Sequence, residues 1–246
     1  MKFYVINLKR SPQRRQLMCE QLDKFGVDYE IFEASDGRAL TPEEEAMVGT
    51  SDQVILDMAG GRQCLVEDKL SPAEMGCALS HLRLYQHILE RGEARAVILE
   101  DDEVLNEDSI LALNSLDVIT EPWDVVHFSR VSGIKHLPCA RKYYFDRARG
   151  LYFARHGMRN ATLDAIFNRR RICFGAVMYV VTPHACEVLL AKGLPVRLVS
   201  DYLLGMIAYH NLRTFVAHPM GHYWEANEEG DRSTIGDRPK HHLVRL

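Results

Sequence analysis

The first 34 residues constrain the fold more than any other stretch of this chain. Phe3 to Leu8 is a short apolar run of the kind that forms a buried strand. Ser11-Pro12 follows as an N-cap with proline at the first helical position. Leu17, Met18, Leu22 and Phe25 then recur at helical spacing, and Gly26 closes the helix. Tyr29 to Ala34 returns to a strand. A strand, a helix and a strand at this spacing predict two parallel strands joined by a right-handed crossover. That opening excludes all-β and simple helical-bundle folds.

The rest of the chain continues the alternation. A short helix is expected from Pro42, and Gly60-Gly61 marks a turn. Ser71-Pro72-Ala73-Glu74 is a capping box, and its helix carries Met75, Ala78, Leu79, Leu82 and Leu89 on one face and ends near Gly92. Ala96 to Leu99 and Asp124 to Phe128 are strands, as is Phe174 to Val181. Thr182-Pro183 caps the helix after it, and Ser200-Asp201 opens another through His210. A last strand runs from Arg213 to Ala217, and the tail from His218 to Leu246 is expected to be loop-like. The pattern predicts a single α/β domain over residues 1–246, with a central, mostly parallel mixed sheet flanked by helices. At 246 residues the chain can bury about 70% of its unfolded surface and needs no staples.

The chemistry concentrates at Glu100-Asp101-Asp102-Glu103, directly after the apolar Val97-Ile98-Leu99. Ligands of open α/β sheets bind beyond the carboxyl ends of strands. Clustered carboxylates repel unless a cation compensates, and hard oxygens suit Mg²⁺ or Mn²⁺. In an extended chain Glu100 and Asp102 point one way and Asp101 the other, so Glu100 and Asp102 are the candidate metal ligands. The plain alternative is an acidic turn that opens a helix. Asn7, Arg10, Arg14 and Arg15 surround the end of the first strand, where a helix N-terminus and arginine forks suit phosphate; a solvated helix face is the other reading. Ser80-His81 lies mid-helix near Cys77, and Asp201 opens its helix; a lone helical His and an N-terminal acid are both commonplace. No GxGxxG, P-loop, HExxH or GxSxG is present.

Charge is unevenly spread. The net −4 hides ten Lys/Arg against two acids (Asp146, Asp164) between Val131 and Arg171, a formal +8, with −12 on the remainder. Six scattered cysteines without a CxxC fit reduced thiols and a cytoplasmic setting. No secretory signal or stretch of about 20 apolar residues is seen, while peripheral contact of basic residues with the inner membrane stays open.

At these residues the sequence resembles glycosyltransferase family 25, the lipooligosaccharide-biosynthesis glycosyltransferases of Gram-negative bacteria. The resemblance rests on Val5-Ile6-Asn7-Leu8-Lys9-Arg10-Ser11 with Arg14-Arg15, on Ala34-Ser35-Asp36-Gly37, and on Leu70 to His81 with its Gly76-Cys77 and Ser80-His81. It continues through Ile98-Leu99-Glu100-Asp101-Asp102 and Phe174 to Val181, and reaches Asp201. It implies a GT-A-like nucleotide-binding fold and transfer of a hexose, commonly galactose from UDP-galactose, with inversion. It implies donor contacts at Asn7, Leu8, Arg10, Arg14, Asp36, Ser80, His81, Asp101, Gly175 and Ala176. Glu100 and Asp102 would hold Mn²⁺ or Mg²⁺, and Asp201 is the candidate base. The Ser233-Thr234-Ile235 run resembles a family ending that closes over the pyrophosphate. The implied partners are the nucleotide sugar and a lipid-linked oligosaccharide acceptor, with no nucleic acid.

The Val131–Arg171 stretch has no counterpart in the resemblance and is the candidate acceptor side, with Arg169, Arg170 and Arg171 offered to phosphate and Tyr143, Tyr144, Phe145, Tyr152 and Phe153 to sugar. Two other readings use the same residues. One is a Mg²⁺-dependent nucleotidyl or phosphoryl transferase; the other is a non-enzymatic binder of an anionic polymer. Oligomeric state is not encoded in any of these features.

Overall fold

The computed structural model describes residues 1–51, 53–59, 61–67, 69–128, 143–155, 175–219 and 242–245. Arg169, Arg170, Arg171 and the Ser233-Thr234-Ile235 run lie outside them.

The predicted opening is present. Strand β1 (Lys2–Asn7), helix α1 (Pro12–Phe25) and β2 (Tyr29–Glu33) form the unit, with β1 and β2 parallel from Phe3↔Tyr29 to Asn7↔Glu33. Gly26 ends α1 in the left-handed conformation (φ 62°). The capping box is also present: Thr41 starts α2 (Pro42–Ala46), and Ser71 starts α3 (Pro72–Arg91), each paired with a glutamate three residues on. Next come β5 (Ala96–Glu100), α4 (Glu107–Leu113) and β6 (Val125–His127). They are preceded by a hairpin of β3 (Gln53–Met58) and β4 (Arg62–Glu67).

The later elements are β7 (Tyr143–Asp146), β8 (Leu151–Arg155), β9 (Met178–Val181) and α5 (Pro183–Gly193). They are followed by α6 (Ser200–Gly205), α7 (Ile207–His210), β10 (Thr214–Pro219) and β11 (His242–Arg245). Eight strands form the main sheet in the order β2-β1-β5-β9-β6-β10-β8-β7. Only β9 and β8 run against the other six, so the sheet is mixed with one prevailing direction, as expected.

Strand alternation builds two cores. On β1 and β5, Tyr4, Ile6 and Ile98 pack with Leu79, Leu82 and Tyr85 of α3 and with Leu189 of α5. Phe3, Val5, Val97 and Leu99 face the other way, onto Met18 and Leu22 of α1. Both faces are covered, which is why these strands read as continuous apolar runs. Continuing the alternation past Leu99 sends Glu100 toward α3.

Four features differ from expectation. The β3–β4 hairpin was not anticipated; Leu56, Met58, Cys64 and Val66 sink into the α3-side core while Gln53, Ile55 and Asp57 stay exposed. The basic stretch contains the β7–β8 hairpin, whose Phe153 is fully buried. The single helix expected after Ser200 breaks at Met206 (φ −85°, ψ 73°). The tail is not wholly loop-like: β11 adds to the hairpin, antiparallel to β4 from His242↔Glu67 to Arg245↔Cys64.

Candidate active site

The carboxyl ends of β1 and β5 lie side by side, paired from Lys2↔Ala96 to Ile6↔Glu100. Beyond β1 the chain turns at once, with the Ser11 N–H donating to the Leu8 carbonyl (2.7 Å). Asn7 is buried there; its Nδ2 donates to the Ser11 carbonyl (3.2 Å) and to Asp101 Oδ2 (2.6 Å). Arg14, one turn into α1, reaches Asp101 Oδ1 at 3.1 Å and Asp102 Oδ2 at 3.5 Å. Asp101 thus turns to α1 while Glu100 turns to α3, as alternation requires.

The strand ends at Glu100 and a turn follows, and in that turn Asp102 lies near Arg14 as well as within reach of the charge of Glu100. Burial, then the neighbouring charge of Glu100, pushes its carboxyl up to about 6, against the pull of Arg14. Part of that rise comes from the like charge of Glu100, and that part a cation would relieve. The hard oxygens of Glu100 and Asp102 therefore fit Mg²⁺ or Mn²⁺ in donor chemistry.

On the α3 side, Glu100 Oε1 lies 3.1 Å from His81 Nε2 and 3.8 Å from Cys77 Sγ. His81 is buried, and its Nδ1 meets the Tyr179 hydroxyl at 2.7 Å, which in turn meets Tyr85 at 2.8 Å. Cys77 Sγ also lies 3.2 Å from Ser200 Oγ, the residue before Asp201. Asp201 Oδ1 accepts the backbone N–H of Ala176 (2.9 Å), and the Glu100 N–H donates to the Val177 carbonyl (2.8 Å). Gly175 holds the preceding turn with φ 129°. Glu100, Gly175, Ala176 and Asp201 thereby share one corner of the molecule.

The Asp36 segment borders β1. Asp36 accepts the Arg38 N–H (3.1 Å) and the Arg10 guanidinium (2.7 Å), which together hold its carboxyl below the usual range. Ser80 is wholly buried, donating to the Gly76 carbonyl (2.6 Å) and accepting the Ser35 N–H (2.9 Å). It serves as a brace behind the loop rather than as a surface group. Ser35 is held again by Glu44 Oε1 (2.5 Å) and by Arg83 (2.8 Å). The packing is close enough that a Cβ on Gly76 would lie 2.6 Å from Gly37 N and Ser35 O.

Of the residues singled out in the sequence, the structure brings Asn7 and Arg14 to Asp101 and Asp102, and sets Glu100 beside His81. Sequence reasoning did not find Tyr85 and Tyr179. Cys77, His81 and Tyr85 recur every four residues on one α3 face, and that spacing was the available signal for Tyr85. Nothing local to β9 singles out Tyr179.

A mixed eight-stranded sheet with acids beyond the carboxyl end of a central strand defines a GT-A-like α/β protein. The model described as glycosyltransferase family 25 (LPS biosynthesis protein) matches residues 1–204, and this chain belongs to that family. Similar proteins include the rat probable inactive glycosyltransferase 25 family member 3, 31% identical over 132 residues that make up 52% of this chain and 22% of the rat protein. A glycosyltransferase 25 family member of Aedes aegypti is 27% identical, covering 52% of this chain and 21% of its own length. Human procollagen galactosyltransferase 2 is 25% identical, covering 52% and 20%. The chain spans about a fifth of the length of these relatives. Among the described residues, no helix is long and apolar enough to cross a membrane.

Proposed function

We propose that this chain is an inverting, metal-dependent hexosyltransferase that moves galactose from UDP-galactose to a sugar of a lipooligosaccharide or lipopolysaccharide core. The observation that carries the reading is the juxtaposition of Asn7 and Arg14 with Asp101 and Asp102 where β1 and β5 end. The family's description as an LPS biosynthesis protein supports the acceptor class. The galactosyltransferase among the relatives supports the sugar.

In this reading Glu100 and Asp102 hold the divalent cation, which when bound neutralises the diphosphate as it leaves. Asn7 and Arg14 fix the turn that carries Asp101 and Asp102, and Asp36 faces the nucleoside. Asp201 takes the proton of the acceptor hydroxyl as that oxygen bonds to the anomeric carbon from the face opposite the diphosphate. The bond from that carbon to the diphosphate oxygen breaks, and UDP departs with the bonding pair. The reaction takes place at the cytoplasmic side of the inner membrane, within one domain.

The names of the rat, bovine and mouse relatives favour a second reading, a member that holds the nucleotide sugar without transferring it. Thermal unfolding with UDP-, GDP- and CMP-sugars, each with and without Mn²⁺, tests what both readings share. UDP-galactose with Mn²⁺ is expected to raise Tm, since a ligand bound only to the native state stabilises it. Stabilisation by none of the UDP-sugars would overturn both. Release of UDP with glycoside formation on adding a core-oligosaccharide acceptor separates transfer from binding alone.

A further inference from the structure

We propose that Cys77, His81 and Glu100 form a zinc site, chemically distinct from the hard-oxygen pair of Glu100 and Asp102. Cys77 and His81 lie four residues apart on one face of α3, and Glu100 enters from the end of β5. Their ligand atoms all fall within 4.8 Å of one another. Zn–S near 2.3 Å and Zn–N or Zn–O near 2.05 Å at tetrahedral angles place ligand atoms roughly 3.3–3.6 Å apart. Here Nε2 to Oε1 is 3.1 Å and Sγ to Oε1 is 3.8 Å, each within a few tenths of an ångström of those separations, and Sγ to Nε2 is within 4.8 Å.

The donor set selects the ion. A thiolate beside an imidazole and a carboxylate suits Zn²⁺, whereas Mg²⁺ and Mn²⁺ prefer oxygen throughout. The surroundings supply the outer partners that zinc-bound histidines ordinarily have. Tyr179 Oη sits 2.7 Å from His81 Nδ1 and 2.8 Å from the Tyr85 hydroxyl. Either hydroxyl of this pair can donate to the other. With Tyr179 donating to Tyr85, it accepts Nδ1–H and leaves the Nε2 lone pair for the metal. Ser200 Oγ, 3.2 Å from Sγ, donates to the thiolate. Cys77 and Glu100 are both partly exposed, which gives an ion a way in to the buried imidazole.

Zinc binding breaks the Cys77 S–H bond. The thiolate electron pair goes to the metal and the proton to solvent, while the neutral imidazole moves its N–H from Nε2 to Nδ1. One proton leaves per zinc bound. The ion occupies Glu100 Oε1 and so competes with any hard cation that uses this carboxylate. The site stands whether or not the chain transfers sugar, and its test uses neither donor nor acceptor.

The metal-free chain of residues 1–246 is titrated with Co²⁺ as a spectroscopic stand-in, then with Zn²⁺. A thiolate-to-cobalt charge-transfer band that zinc abolishes is expected. Cys77→Ser should remove the band and weaken zinc binding about 10-fold or more, while Cys19→Ser retains both. A second measurement uses the unaltered chain, so that misfolding of a variant cannot decide the matter. Zn²⁺, but not Mg²⁺, should slow alkylation of the peptide bearing Cys77 several-fold. A wild-type chain with no band, a band that survives Cys77→Ser, or alkylation of Cys77 that zinc does not slow would each overturn the site.

Discussion

Arg14 lies 3.1 Å from Asp101 across the gap between the first helix and the turn after β5, with both side chains largely shielded from solvent. The same carboxylate accepts Asn7 at 2.6 Å, so one acid ties together the two strand ends that frame the candidate donor site. Truncating Asp101 to Ala leaves two donors facing a vacated carboxylate position. Hydrogen bonds to charged groups contribute about 1.5–3 kcal/mol, so a loss of stability of about 1–3 kcal/mol is expected from urea midpoints at unchanged m. The exposed neighbour Arg15→Ala should change stability by less than about 0.5 kcal/mol. Equal effects of the two substitutions would deny Asp101 this tie.

Gly76 is a steric requirement. A Cβ there would meet backbone atoms of Ser35 and Gly37 at 2.6 Å, and a Cβ on Gly37 would overlap the Pro72 carbonyl. Backbone cannot swing aside as a flexible side chain can. Gly76→Ala should therefore destabilise by about 1–3 kcal/mol despite alanine's better helix propensity. A variant as stable as the parent in denaturant titration would show that the Asp36 loop yields freely.

His210 predicts a pH dependence of stability. It is buried, Leu212 N–H donates to its Nδ1 (3.0 Å), and its Nε2 therefore donates to the Leu204 carbonyl (3.0 Å). Burial pushes its pKa down to about 4, against 6.5 for the ordinary group. Between those values the unfolded chain binds the extra proton, so stability rises with pH across the window and is lost on acidification from 6.5 toward 4. Unfolding titrations at pH 7.5 and 4.5 should show the wild type losing about 2–3 kcal/mol more than His210→Gln. Equal losses would place the acid sensitivity elsewhere.

The reading of the basic stretch as the acceptor side makes a prediction at the β7–β8 hairpin. Tyr143 and Phe145 are 43% and 52% exposed, and with Tyr152 their rings cluster at centroid distances of 6.0–6.2 Å. A sugar face stacked there should be held with about the energy of an aromatic pair, roughly 0.5–1.5 kcal/mol. Phe145→Ala is expected to raise the KM for a core-oligosaccharide acceptor about 2–10-fold with binding of the UDP-sugar unchanged. A matching loss of donor binding would exclude this acceptor role.

Much of this architecture could be read from the sequence because local signals and burial agree there. Ser71-Pro72 with Glu74 and a left-handed Gly92 bracket α3, and β1 and β5 read as apolar because both faces are covered. The β3–β4 hairpin was hidden because its half-buried strands lie in an irregular stretch whose turn gave the only signal. Strand β11 has no local signal of its own; it exists because β4 presents an edge to a segment nearly 180 residues later. At the site, alternation correctly sent Glu100 and Asp101 to opposite helices. It does not by itself place Asp102, because the strand ends at Glu100 and a turn follows. Ser80 shows another limit: a helical serine's spacing does not say that its hydroxyl is spent holding Ser35.

Calorimetric titration of UDP into the wild type and into Asp102→Asn, each with and without Mn²⁺, tests the proposed donor site most directly. The expected result is wild-type binding that tightens at least about 10-fold with Mn²⁺, a gain of about 1.4 kcal/mol, which Asp102→Asn loses while remaining folded. UDP affinity that is indifferent to Mn²⁺, or a metal enhancement that survives in Asp102→Asn, would contradict it.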